Sequence, residues 1–296
     1  MHKKSVICFG ECLWDLFPSG KIAGGAPMNV AIQLNNLGTN ARFASKVGAD
    51  DLGKELLDWQ AKKGLYNDLM AMDDTYETGV VVVKLSEKGS PSYTIAAPVA
   101  WDFIGYSNEL GAAVASSDLF VFGSLVSRND NRSRTTLHKL LEQANTKVFD
   151  INLRAPHYDK RNLFNLLGTA QIVKMNDEEL ALIGAWINSS AKESDELMSA
   201  VQEHFYIDQL VVTFGAEGAK LLNNGKLFIT KSIPVKVEDT VGCGDAFLAG
   251  FVHRFSQGAT SQECLDFASG MGGYVATQKG GTPHLSEAMI EEFVEK

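Results

Sequence analysis

The sequence predicts an α/β protein: a Rossmann-like, mostly parallel sheet with helices on both faces and a small β-sheet laid over one edge as a lid. Three observations carry this expectation. Short, continuous apolar runs recur along the chain, segments of helical period separate them, and two stretches break the alternation as β-ribbon. Continuous apolar runs suit strands covered by helices on both faces, and helices between them suit parallel crossovers.

In order, VICFG (6–10) reads as the first buried strand; its apolar run is too short for the core of a signal peptide. Val30, Ile32, Leu34 and Leu37 have helical spacing over 26–37. RFASKVG (42–48) reads as a strand and precedes a helix through Leu52, Leu56, Leu57 and Trp59. DLFVFGSL (118–125), KVFDINL (147–153), QIVKMN (171–176) and QLVVTFG (209–215) are further buried strands, and 132–145, 159–168 and 193–205 suit crossover helices. Val235 and Val237 alternate with polar residues as a strand would, and AFLAGFVHRF from Ala246 onward has helical spacing. The two ribbon stretches are 11–24 and 75–97, the second with a Glu-Lys-Gly-Ser turn at 87–90. They fit either a lid or a plain edge extension. No repeat or linker divides residues 1–296, so one folding unit with a lid is expected.

Composition narrows the function classes. Hydrophobic residues make up 45% and charged residues 21%, ordinary for a globular chain, and no apolar run reaches the ~18 residues of a bilayer span. A net charge of −9 with scattered acids disfavours nucleic acid and anionic membranes as partners, so any anionic ligand needs a local site. Cys8, Cys12, Cys243 and Cys264 form no CxxC pair and no metal-ligand spacing with histidine. Free thiols in the cytoplasm are the expectation, with the Asn131 and Asn188 sequons as chance matches.

Three glycine-containing segments bear on chemistry. GADDLGKE (48–55) matches GxxxxGK but has Glu55 where a phosphate loop needs Ser or Thr, and Asp50 and Asp51 would repel phosphate. It reads as a helix start. DTVGCGDAF (239–247) sits at the entry to a helix. Gly242 and Gly244 let successive amides converge on an anion, and Asp245 aims a carboxylate at the same place. That suits phosphoryl transfer to a hydroxyl, with the carboxylate as base. On the residues alone, a glycine turn with an acidic cap fits equally. A Cys243 nucleophile lacks a histidine partner. AGGAPMN (23–29) is another glycine turn opening a helix, with Pro27 preorganised for its first turn. Asp15 and Asn29 together suit vicinal sugar hydroxyls, although a simple cap also fits.

The pairing of GGAPMN with DTVGCGDAF resembles the PfkB, or ribokinase-like, family of carbohydrate kinases. GECLWDLFP (10–18), VGADDLG (47–53), FGSL (122–125), FDINLR (149–154), KMNDEE (174–179) and VTFGAEGA (212–219) resemble its fructokinase-like branch, colinearly from residue 6 to about 285. The resemblance implies a ribokinase-like fold and an ATP- and Mg²⁺-dependent kinase acting on a primary hydroxyl, fructose to fructose 6-phosphate. A 2-keto-3-deoxygluconate kinase is the alternative, and a sugar-binding regulator on the same fold is a third reading.

By the same resemblance Asp245 is the catalytic base, and the amides of Gly242, Cys243 and Gly244 form the anion hole. Asp15, Gly24, Gly25 and Asn29 hold the sugar, with Asn152 and Arg154 near sugar and phosphates. Asn176 and Glu179 organise the ATP phosphates and Mg²⁺, Glu179 through water. Thr213, Gly215 and Gly218 form the nucleotide loop. Asp239 and the Val241 carbonyl contribute to a K⁺-type site completed by 275–284. Cys243 and Met28 stand where the family usually has alanine. A homodimer through the lid is expected, with the valines at 80–83 suiting the contact.

Overall fold

Apolar runs whose alternate residues face two helical layers build the centre of the molecule. In the computed structural model, which describes residues 4–85 and 91–295, β1 (Ser5–Phe9) sends Val6 and Cys8 into one apolar cluster. Ile7 and Phe9 enter the other. That division is the period-2 consequence of a strand covered on both faces. β2 (Leu13–Phe17) and β3 (Gly20–Gly24) form the first ribbon, followed by α1 (Ala26–Asn36), β4 (Asn40–Gly48), α2 (Asp51–Lys62) and β5 (Leu69–Asp73). β6 (Gly79–Leu85) and β7 (Pro91–Ile95) are the second ribbon; the turn expected at 87–90 lies outside the described residues.

The crossover region runs through α3 (Asn108–Ser116), β8 (Leu119–Gly123), α4 (Arg132–Leu141), β9 (Thr146–Asp150), α5 (Lys160–Leu167) and β10 (Ile172–Asn176). Then come α6 (Asp177–Trp186), α7 (Ser194–Phe205), β11 (Gln209–Thr213), β12 (Ala219–Asn223) and β13 (Lys226–Thr230). α8 (Cys243–Gln257), α9 (Ser261–Ala276) and α10 (Glu287–Val294) close the fold. α1, α8 and α9 cover one face of the sheet, and α4 to α7 cover the other.

The large sheet has the order β13-β12-β11-β10-β9-β8-β1-β4-β5, and only the pairs involving β12 are antiparallel. Its parallel strands therefore end on one edge, and the order reverses around β1. Ligand crevices of open α/β sheets lie at such a reversal. Residues just past β1 (Glu11), β9 (Asn152, Arg154) and β10 (Glu179) share that edge.

The expected strand at Val235 and Val237 is absent, and residues 231–237 carry no regular element. β13 remains the edge of the sheet, because the chain does not run back along it. Beyond it the chain crosses toward α8, with Val237 55% exposed.

The small sheet has the order β3-β2-β6-β7. One side rests on α2, where Trp14 Nε1 donates to the Leu52 carbonyl at 3.0 Å and Lys21 pairs with Glu55. The other side groups Leu13, Val81 and Val83 with Phe17 and Ile95. Of the valines expected to serve a dimer contact, three are engaged within the subunit: Val81 and Val83 are buried, and Val80 packs on the main core. Ile22 and Tyr93 are the exposed large apolar side chains there, at 45% and 61%.

Beyond the small sheet, buried Arg128 holds the returning chain. It donates to both Asp102 oxygens at 2.8 and 2.7 Å and to the Ala96 carbonyl at 2.6 Å, and lies 3.9 Å over the Trp101 ring. The segment at 48–55 is a helix start: Asp50 caps α2 by accepting from the Gly53 amide at 2.7 Å and also holds the Thr78 amide.

Candidate active site

The glycines before Asp245 give way to two different neighbours. Gly242 has φ +77° and caps α8 in the left-handed region, where a Cβ would strike the Gly281 backbone. A Cβ at Gly244 would lie 3.1 Å from Lys174 Nζ. The chain is therefore pinched between the loop at 280–281 and a buried lysine. Cys243, between them, donates its amide to the Thr240 carbonyl at 3.3 Å. Among the described residues none accepts from the amides of Gly242 and Gly244, so these remain available to an anion at the positive end of α8.

Asp245 follows within the first turn of that helix and is 9% exposed. Burial raises its pKa to about 6 and the nearby Asp150 adds to the rise, against the opposing effects of the Asn29 hydrogen bond, Lys174 and Arg154. The Asn29 bond joins the two glycine motifs: Nδ2 donates to Asp245 Oδ2 at 2.8 Å. Asn29 is brought there by α1, which begins after Gly25 at φ +126°. A Cβ at Gly25 would overlap the Glu11 carbonyl, and one at Gly24 would fall 2.7 Å from Asp15 Oδ2. Asp15, on the cleft side of β2, has a pKa raised to about 6 by burial, with Arg154 opposing.

Beneath Gly244, Lys174 donates to both oxygens of Asp150 at 3.0 Å, and both side chains are buried. Burial lowers the Lys174 pKa, but Asp150, Asp245 and Glu179 outweigh that and hold it above the ordinary lysine value. Glu179 and Asn176 form the capping box of α6, each side chain meeting the other's amide. Glu179 Oε1 also accepts from the Leu153 amide at 2.6 Å, which fixes the turn carrying Asn152 and Arg154. Asn152 itself has φ +38°.

These groups surround a cleft of about 860 Å³. Of the residues expected from sequence, Asp15, Gly24, Gly25, Asn29 and Asn152 line it, as do Arg154, Val241, Gly242, Gly244 and Asp245. Cys243 does not line it. Its thiol lies 3.8 Å from the Asp239 carbonyl, and burial together with Asp239 and Asp245 pushes it up to about 11. Asn176, Glu179, Thr213, Gly215, Gly218 and Asp239 lie outside this lining. Thr213 closes β11, and a Cβ at Gly218 (φ +110°) would strike the Thr230 carbonyl. Asp239 accepts from the amides of Val241 and Gly280 at 3.0 and 3.1 Å, tying the 280 loop to the glycine turn.

Sequence reasoning gave no role to Glu11, Asp150 or Lys174, and Gly281 entered only as part of the loop 275–284. Asp150 and Lys174 could have been flagged as charges inside otherwise apolar strands, since a buried charge needs a partner. Glu11 had a similar signal directly after β1. Among the described residues no three His, Cys, Asp or Glu side chains are grouped to hold a metal.

Comparison with known proteins bears on the family and the fold. The profile described as pfkB family carbohydrate kinase matches residues 5–288. A fructokinase of Escherichia coli is 27% identical over 93% of this chain and 94% of its own. Two solved structures share the fold at a TM-score of 0.86: a fructokinase with bound ATP from Xylella fastidiosa and a 2-dehydro-3-deoxygluconokinase from Thermotoga maritima. The first is 22% identical and covers 99% of this chain and 98% of its own. The second is 18% identical and covers 99% and 100%.

Proposed function

This chain belongs to the pfkB family of carbohydrate kinases, and on that premise we propose that it transfers the terminal phosphoryl group of ATP to a primary sugar hydroxyl, converting fructose to fructose 6-phosphate. One observation carries the reading: the buried Asp245 carboxyl and the amides of Gly242 and Gly244, unpaired among the described residues, share the wall of the cleft. A base next to an anion-binding helix start is what phosphoryl transfer to a hydroxyl requires.

In this reading Asp245 takes the proton of the acceptor hydroxyl, whose oxygen attacks the γ-phosphorus while ADP leaves. The two amides meet the charge on the transferred group, and Lys174 adds a fixed positive charge beneath Gly244. Asp15, Gly24, Gly25, Asn29 and Asn152 hold the sugar, and Arg154 faces sugar and phosphate. Thr213, Gly215, Gly218 and Asn176 serve the nucleotide. The small sheet acts as the lid of a single kinase unit, its exposed Ile22 and Tyr93 offering a surface to a second copy.

Mg²⁺ fits these residues as an ion brought in by nucleotide phosphates rather than as one caged by protein. Glu179 has both oxygens on backbone amides and would meet it through water. When bound, the ion neutralises phosphate charge. Asp239 and the Val241 carbonyl remain our assignment for a monovalent cation, supported by the way Asp239 holds the 280 loop against that turn.

Arg154 on the cleft wall favours a second reading, an acid sugar such as 2-keto-3-deoxygluconate. Glu11 and Asp15 on the same wall weigh against a second carboxylate and toward a neutral sugar. ADP release measured over ketoses, pentoses, nucleosides and sugar acids, with and without K⁺, tests both. Fructose is expected to lead; turnover confined to sugar acids establishes the second reading, and no sugar-dependent release refutes the kinase assignment.

A further inference from the structure

The residue after Gly10 has one oxygen occupied and one without a partner. Glu11 is 4% exposed and lines the cleft. Its Oε1 accepts from the Ala26 amide at 3.2 Å, supplying the first turn of α1 with the acceptor that Gly25 lacks. Among the described residues Oε2 has no hydrogen-bond partner, although it is buried. The two charged side chains whose fields it feels, Asp245 and Arg154, are both cleft residues. Asn29 Oδ1 is a second buried acceptor without a partner on the same wall. A cap alone accounts for Oε1 and leaves Oε2 unexplained. Two unsatisfied acceptors beside a polar cleft are costly in the empty protein and match a ligand that brings hydroxyl donors.

We propose that Glu11 is a further sugar-binding residue, its Oε2 receiving a non-reacting hydroxyl while Oε1 keeps the Ala26 amide. The proposal rests on the sugar-kinase reading above and extends it to a contact not included there. Because one carboxylate serves both partners, the bound sugar and the start of α1 are held by a single rigid group. Asn29 lies one turn into that helix and reaches Asp245. A sugar seated on Glu11 is thereby registered against the base.

The test is calorimetric sugar binding without ATP, on the full chain, comparing native protein, Glu11→Gln and Glu11→Ala. The probes are D-fructose and a series of deoxy-D-fructoses, each lacking one hydroxyl. Glu11→Gln retains an acceptor for Ala26 and guards against a folding defect in the alanine variant. Loss of this hydrogen bond is expected to weaken fructose binding of Glu11→Ala by roughly tenfold, and of Glu11→Gln by less. One deoxy sugar should bind native protein weakly and lose nothing further in Glu11→Ala. A helix cap without sugar contact gives additive losses across the whole series, and that result overturns the proposal while leaving native turnover intact. If native protein neither binds nor phosphorylates fructose, the substrate reading falls and the proposal falls with it.

Discussion

Asn29 and Asp245 are 216 positions apart and share a 2.8 Å hydrogen bond, Nδ2 donating to Oδ2. This contact fuses the two glycine turns into one wall. It also opposes the burial that makes Asp245 a weak acid for an aspartate. The predictions below follow from it and from the contacts around it.

Asp245→Asn removes the proposed base while keeping the shape. Turnover should fall by ~10²–10⁴-fold with fructose binding retained. The same change should stabilise the fold. Asp245 has its pKa raised to about 6 in the folded protein, so its stabilising contribution is complete below pH ~4 and lost as pH rises through about 6. Above pH 7 the variant should gain up to ~3 kcal/mol in urea unfolding. Near-native turnover refutes the role.

Asn29→Ala deletes a hydrogen bond that favours the ionised form of Asp245. The Asp245 pKa should rise further, and because the base must be unprotonated, the acid limb of kcat/KM against pH should move upward from about 6. An unmoved limb separates Asn29 from the ionisation of Asp245.

Gly242→Ala and Gly244→Ala should differ in kind. At 242 the new methyl meets Gly281 backbone at a positive φ, so stability should drop by at least the ~1–2 kcal/mol of a left-handed non-glycine residue. At 244 it meets only the Lys174 ammonium at 3.1 Å, which must shift by a few tenths of an ångström on Asp150, so melting should drop less than at 242 while kcat falls. Equal melting points for the two variants contradict this division.

Cys243→Ala should keep activity within about threefold, since the thiol does not line the cleft and no step uses it. Alkylation of native protein should be slow at pH 7.5, because a thiol pushed up to about 11 is almost wholly protonated. Rapid labelling followed by mass spectrometry is the check that refutes this.

Asp102→Ala should strand the Arg128 guanidinium, buried between Trp101 and the Ala96 carbonyl. Breaking such a pair typically costs ~3–5 kcal/mol, readable as a lower urea midpoint. Replacing both residues by apolar ones should restore part of the loss. A single variant as stable as native protein shows that the pair contributes nothing.

The strands around the site were legible because a buried parallel strand is apolar at nearly every position, as in LFVFG of β8. Helices with a strong polar face, such as α4 and α5, were legible too. The antiparallel β12 and β13 were not, since LLN-turn-KLF resembles any short surface hairpin. The strand expected at 235–237 failed because the chain there leaves the β13 edge and crosses toward α8 instead of pairing along it. At the site, glycine spacing pointed to the turn that opens α8, but not to what each glycine makes room for. Gly281 and Lys174 are invisible from DTVGCGDAF, because proximity across the fold leaves no mark on local spacing. NDEE is a capping box by its own spacing, and that local bond is present whether or not the pair also meets a nucleotide.

The contact between Gly242 and Gly281 sets an order of events during synthesis. Gln33 Nε2 donates to the Gly281 carbonyl at 3.2 Å, and Asp239 holds the Gly280 amide, so the turn before Asp245 is braced by residues near the end of the chain. A nascent polypeptide emerging from the ribosome can assemble every strand of the large sheet before those residues appear. The turn before Asp245 stays unbraced until they do. A nascent chain arrested short of position 280 would carry Asn29 and Asp245 with a turn that lacks its bracing backbone.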